Sequence, residues 1–142
     1  MCFLHYRKSS AKVEIYKPKN GTMKSKSKFV PASNRDRMHS GFHAYLHASY
    51  QELVDKLGIP HDRTKGGDWR SGDDKVRVEW AFKSTNKKRP MVLTIYDYKE
   101  SRPINEVNQW HVGLKGDAHQ VDQLFREKGL CPEALEIHKK YR

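Results

Sequence analysis

The chain has 142 residues, of which 36% are hydrophobic and 32% charged, and it carries a formal net charge of +11. That balance fits one domain with irregular extensions and a core of modest size. No apolar run reaches the length of a membrane span, and Met1 to Tyr6 is too short and too polar for a signal peptide.

The predicted elements begin with a hairpin over residues 1–16. Phe3, Val13 and Ile15 are its apolar anchors, and Lys8-Ser9-Ser10 lies between them without the Gly or Asn that a tight turn favours. Residues 17–40 follow, with seven basic side chains against the single acid Asp36. More than half of the chain's excess charge therefore lies in this stretch, and such clustering attracts polyanions through counterion release. The run Lys24-Ser25-Lys26-Ser27-Lys28 has no apolar period, so the segment is expected to be flexible. Within it, Phe29 and Val30 are the residues that could dock on a core.

Residues 41–130 read as the core domain. Phe42, Ala44 and Leu46 alternate with His43, Tyr45 and His47, which predicts a strand. Ser49 is a good helix N-cap, Glu52 completes a capping box, and Leu53, Val54 and Leu57 form an apolar stripe. Gly58 and Pro60 end that helix, and the Gly- and Asp-rich residues 61–74 form a loop. Three alternating strands come next. Val76, Val78, Trp80 and Phe82 share a face, as do Leu93 and Ile95, and as do Trp110, Val112 and Leu114. Ser84 to Pro90 is a polar turn between the first two. Asp117, with Gln120 three residues on, opens a second helix that Gly129 ends, and Pro132 starts a short C-terminal helix within residues 131–142.

The expected fold class is α+β: an antiparallel sheet of about four strands with two helices packed on one face, preceded by the N-terminal hairpin. Three antiparallel strands between two helices also describe a double-stranded RNA-binding domain. That family grips phosphate with basic residues at the start of its second helix, where this chain has Asp117, Ala118 and His119.

Several segments occur together in a recognisable order: Ser49-Tyr50-Gln51-Glu52-Leu53-Val54, Leu57-Gly58-Ile59-Pro60, Trp80 through Lys99 with Thr94-Ile95-Tyr96-Asp97-Tyr98-Lys99, and Trp110-His111-Val112-Gly113. Across roughly residues 41–128 the chain resembles small uncharacterised proteins carried by bacteriophages and mobile elements. The resemblance implies a protein acting in the cytoplasm of a host cell by binding host or defence machinery. It implies little chemistry.

The alternation leaves a second sheet face for His43, Tyr45, His47, Arg77, Glu79, Thr94, Tyr96, Tyr98 and His111. Aromatic rings beside basic groups suit the stacking of exposed bases. The candidate ligand-binding residues are therefore Arg77, Tyr96, Tyr98, His111, His43 and Tyr45, with Lys24, Lys26, Lys28, Arg35 and Arg37 as phosphate contacts. The alternative is that tyrosines simply suit strands, or that another segment covers the face. His39, His43 and His47 would line one face of a helix, but on a strand His43 and His47 lie roughly 13 Å apart, too far to share an ion. Asp97-Tyr98-Lys99, with Asp73, Asp74 and Glu79 upstream, raises metal-dependent cleavage, yet alternation puts Glu79 and Asp97 on opposite faces. Cys2 and Cys131 set up neither a disulfide framework nor a metal spacing, and no base accompanies Cys2 except His5.

The expectation is a non-catalytic protein without cofactor or metal whose partner is nucleic acid or a nucleic-acid-containing host complex. A protein-interaction inhibitor and a metal-dependent nuclease are the alternatives.

Overall fold

The structure is a computed structural model that describes residues 27–62 and 76–137. The expected hairpin over 1–16, together with Lys24 and Lys26, lies outside the described residues. In chain order the elements are β1 (Phe29–Pro31), α1 (Asn34–Arg37), β2 (Gly41–His47), α2 (Tyr50–Leu57), β3 (His61–Asp62), β4 (Val78–Ser84), β5 (Met91–Tyr96), β6 (Gln109–Gly116), α3 (Val121–Lys128) and β7 (Leu135–Ile137). Single 3-10 turns occupy Ile104–Glu106, Ala118–Gln120 and Pro132–Ala134.

The α+β reading holds, on a larger sheet than expected. Seven antiparallel strands run in the order β1-β4-β5-β6-β2-β7, with β3 also paired to β4. The three strands beyond the expected four, β1, β3 and β7, are two or three residues long, too short to display a period of two. Two expectations are corrected. Residues 27–40 are not a flexible linker: Phe29 is buried in the core, and Val30 pairs with Lys83. The C-terminal helix is instead a 3-10 turn followed by β7, whose Leu135 pairs with Leu46.

The inner face of the sheet makes the core. Trp80, Ile95, Val112 and Ala44 form one cross-strand row, and Leu46 pairs with Trp110 in the next. Trp80 and Trp110 meet edge to face at 5.5 Å, and Tyr50 of α2 stacks on Trp110. Each indole N–H also finds an acceptor, Gly58 O at 2.8 Å and Ala48 O at 2.9 Å. Leu53 of α2 and Val121, Leu124 and Phe125 of α3 close the core. Burying a large apolar side chain is worth ~1.5–3 kcal/mol, so these residues carry much of the stability.

The caps follow from local chemistry. The Ser49 hydroxyl accepts from Glu52 N at 3.1 Å at the start of α2. Gly129 closes α3 with a φ of 83°, a left-handed conformation that glycine adopts without strain. Ser33 and Asp36 cap α1 reciprocally, each side chain accepting from the other's backbone N–H.

Candidate functional site

One residue along each central strand from the inner row lies an outer row: Glu79, Tyr96, His111 and Tyr45. His111 is its centre. Phe42, Tyr45 and Tyr98 approach the imidazole with ring centroids 5.2, 5.1 and 5.2 Å away, and Tyr96 stacks on it at 5.6 Å. Tyr98 lies just past the end of β5 and is the exposed member, with Lys99 Nζ 5.5 Å from its ring centroid. The four candidates Tyr45, Tyr96, Tyr98 and His111 are thus brought into one aromatic cluster.

Phe42 joins them against expectation. Strict alternation puts it with Ala44 and Leu46 in the core. The ladder with β6 shifts instead: Phe42 pairs with Gly113, but Ala44 pairs with Val112. His43 is the extra residue of a β-bulge, and a bulge lets residues on either side of it keep or change face independently of the count. Gly113 is required beside it, because a Cβ there would sit 2.6 Å from Thr94 Oγ1.

Burial sets the protonation of the cluster. It pushes His111 below the ordinary histidine range, opposed by the charges of Asp97 and Glu100, and lowers His43 likewise. Burial, helped by the charge of Glu79, pushes the Tyr96 hydroxyl from 10.0 up to about 12. The imidazole is therefore neutral at physiological pH, a flat polar ring among aromatic rings. Among the described residues its buried Nδ1 has no hydrogen-bond partner, nor has one buried terminal guanidinium nitrogen of Arg77. Buried polar atoms are nearly always paired, so these two orphans are unusual.

The Nε and backbone N–H of Arg77 are engaged. Its Nε donates to Asp97 at 2.7 Å, and Asp97 also accepts from the backbone N–H groups of Arg77 and Val78 at 2.8 and 3.0 Å. Asp97 is thus a strand-end anchor. Glu79 is buried and pairs with Arg37. Each carboxylate faces an arginine, and among the described residues no three His, Cys, Asp or Glu side chains converge to hold a metal.

The basic candidates separate. Arg37 is turned inward onto Glu79, with its side chain 11% exposed. Arg35 is exposed on α1, and Lys28 is exposed where the chain enters β1. Asp36, held down to about 2 by hydrogen bonds from Ser33, pairs with Lys83 at 3.2 Å, and Lys115 Nζ donates to Met38 O at 2.8 Å. Residues 32–40 thereby form a strap across the outer face, partly covering it, with Thr94 and Val92 buried on that face. His47 lies at the far edge, 2.9 Å from Glu136.

A cleft of about 410 Å³ opens between β1 and β3, which pair with opposite ends of β4. Leu57, Ile59, Trp80 and Phe82 line it, and Ile59 is 83% exposed.

No protein-family model matches the chain, and comparison with curated proteins and with solved structures returned no match. No helix among the described residues is long and apolar enough to cross a membrane.

Proposed function

We propose that this is a non-catalytic nucleic-acid-binding protein that receives single-stranded bases on the aromatic cluster of the outer sheet face. One observation carries the reading: Phe42, Tyr45, Tyr96, Tyr98 and His111 are gathered on the outer face of a chain with a net charge of +11. Five rings exceed what a solvated sheet face requires, and Tyr98 offers an exposed ring for stacking. Lys28 and Arg35, with Lys24 and Lys26 upstream in the sequence, supply cations for phosphate. A single strand in a host nucleoprotein complex would present the same groups, in keeping with the resemblance to phage proteins.

Binding to a fluorescent single-stranded oligonucleotide over a salt series tests this. Steeply salt-dependent binding is expected. Tyr98→Ala should weaken it by about 1–3 kcal/mol, the usual worth of a base on an aromatic ring. Lys24, Lys26 and Lys28 changed together to Ala should flatten the salt slope. Absence of binding at low salt sinks the reading.

A second reading rests on the 410 Å³ cleft and the exposed Ile59 beside it. A protein-interaction module would dock an apolar side chain there, and its complex would persist at high salt.

A further inference from the structure

The turn between β4 and β5 presents Lys87 and Lys88, both exposed, on a backbone that is fastened from several sides. Asn86 caps it: its side-chain oxygen accepts from Lys88 N at 2.9 Å, and its carbonyl accepts from Arg89 N at 3.1 Å. Ser84 Oγ accepts from Asn86 N at 3.1 Å and donates to Gln120 at 3.0 Å. The amide of the buried Gln120 reaches across to Arg89 O, so one side chain holds both arms of the turn. Asp117 accepts from Arg89 Nε at 2.7 Å, and Asp117 N donates to Pro90 O.

The cations here differ in their pairing. Arg89 is committed to Asp117, Lys83 to Asp36, and Lys128 to Glu127. Lys87 and Lys88 have no ion-pair partner among the described residues, and they project from the tip of the turn. The turn is also where the basic segment joins the fold. Thr85 N and its hydroxyl both donate to Lys28 O, at 3.0 and 3.2 Å. Lys28 is itself exposed, and Lys26 and Lys24 stand two and four residues before it in the sequence.

We infer that the β4–β5 turn is a phosphate-binding site for the nucleic-acid backbone, with Lys87, Lys88 and Lys28 as its cations. The inference rests on the nucleic-acid reading of the aromatic cluster and adds a second point of contact to it. Lysine is a point charge suited to phosphate, and a backbone fixed beforehand loses little freedom when the anion arrives. The turn lies about 17 Å along β5 from Tyr96, at ~3.3 Å per residue. A strand held at both places must pass the strap, where Arg35 is exposed.

The test uses the full chain and a fluorescent single-stranded DNA of about 12 nucleotides, within the span such proteins cover. Lys87→Ala with Lys88→Ala should lower the slope of log K against log salt by about 1.4, at ~0.7 per phosphate contact on a single strand. Inorganic polyphosphate, which has no bases, should compete with the DNA for the wild-type protein and compete less well for the double variant. The melting temperature of that variant reports on folding, and Lys87→Gln with Lys88→Gln, which keeps polar stems, repeats the test. An unchanged salt slope in either variant overturns the inference and leaves the aromatic reading standing. A lowered slope alongside an inert Tyr98→Ala supports the turn and removes the aromatic reading instead. Loss of polyglutamate binding in the double variant, with DNA and polyphosphate binding intact, overturns the inference in favour of an acidic protein.

Discussion

On the inner face, Trp80, Ile95, Val112 and Ala44 stand in one cross-strand row. On the outer face, Glu79, Tyr96, His111 and Tyr45 stand in the next. The same four strands supply both rows, yet the inner row is sealed by two helices and, among the described residues, the outer one is crossed only by the strap of residues 32–40. Polar contacts hold that strap: Arg37 to Glu79, Asp36 to Lys83, and Lys115 to Met38 O. Apolar burial makes the inner face a foundation. The outer face keeps an exposed ring, Tyr98, at the rim of the aromatic cluster, which suits a recognition surface and not a core.

Three substitutions sharpen that contrast. The largest effect is expected at the foundation. Trp110→Ala removes a fully buried ring and its bond to Ala48 O, and should cost about 3–5 kcal/mol in urea unfolding. A loss under ~1 kcal/mol would mean that the inner row is not where stability resides. Next comes Gly113→Ala on the outer face. Its Cβ would press on Thr94 Oγ1, a stiff and buried neighbour, so a loss of about 1–3 kcal/mol is expected. Unchanged stability there would show that the outer middle row yields easily and that Phe42 is loosely seated.

The smallest effect appears only in alkali. Tyr96 titrates at about 12 in the folded chain against 10.0 for the ordinary side chain. Above pH 10 the unfolded chain therefore releases a proton that the folded chain retains, and stability should fall as pH rises toward 12. Tyr96→Phe removes this titration, so its melting temperature should decline less than that of the wild type across that window. Parallel declines would place the hydroxyl in water.

Much of the sheet was legible because long strands with one buried face advertise themselves. Val78 to Phe82, Leu93 to Ile95 and Trp110 to Val112 could be read by alternation alone, and Ser49 with Glu52 marked α2. What was not legible had physical causes. A bulge adds one residue to one strand, and nothing about His43 announces it, so Phe42 was assigned to the core. Strands of three residues such as Phe29–Pro31 and Leu135–Ile137 are fixed by tertiary pairing, not by pattern. Asn34–Arg37 was hidden in a polar segment, although Ser33 and Asp36 have the capping-box spacing that betrays a helix start. Of the site, the tyrosines and His111 were found by facing. Lys87 and Lys88 were not singled out, because a sequence shows that a turn is basic but not that Gln120 holds it still.

The short outer strands have a consequence of their own. A sheet ends in unpaired amides and carbonyls, and a long, flat edge recruits further strands from other molecules. Among the described residues one side of the sheet ends in β1, three residues long and closed by Pro31, which has no N–H to offer, with the two-residue β3 on the same edge of β4, and the other ends in β7, also three residues long. The long hydrophobic strands β4, β5, β6 and β2 are kept between these stubs. A neighbouring copy would find little ladder to extend on the described edges, which disfavours edge-to-edge recruitment while the aromatic surface stays on display.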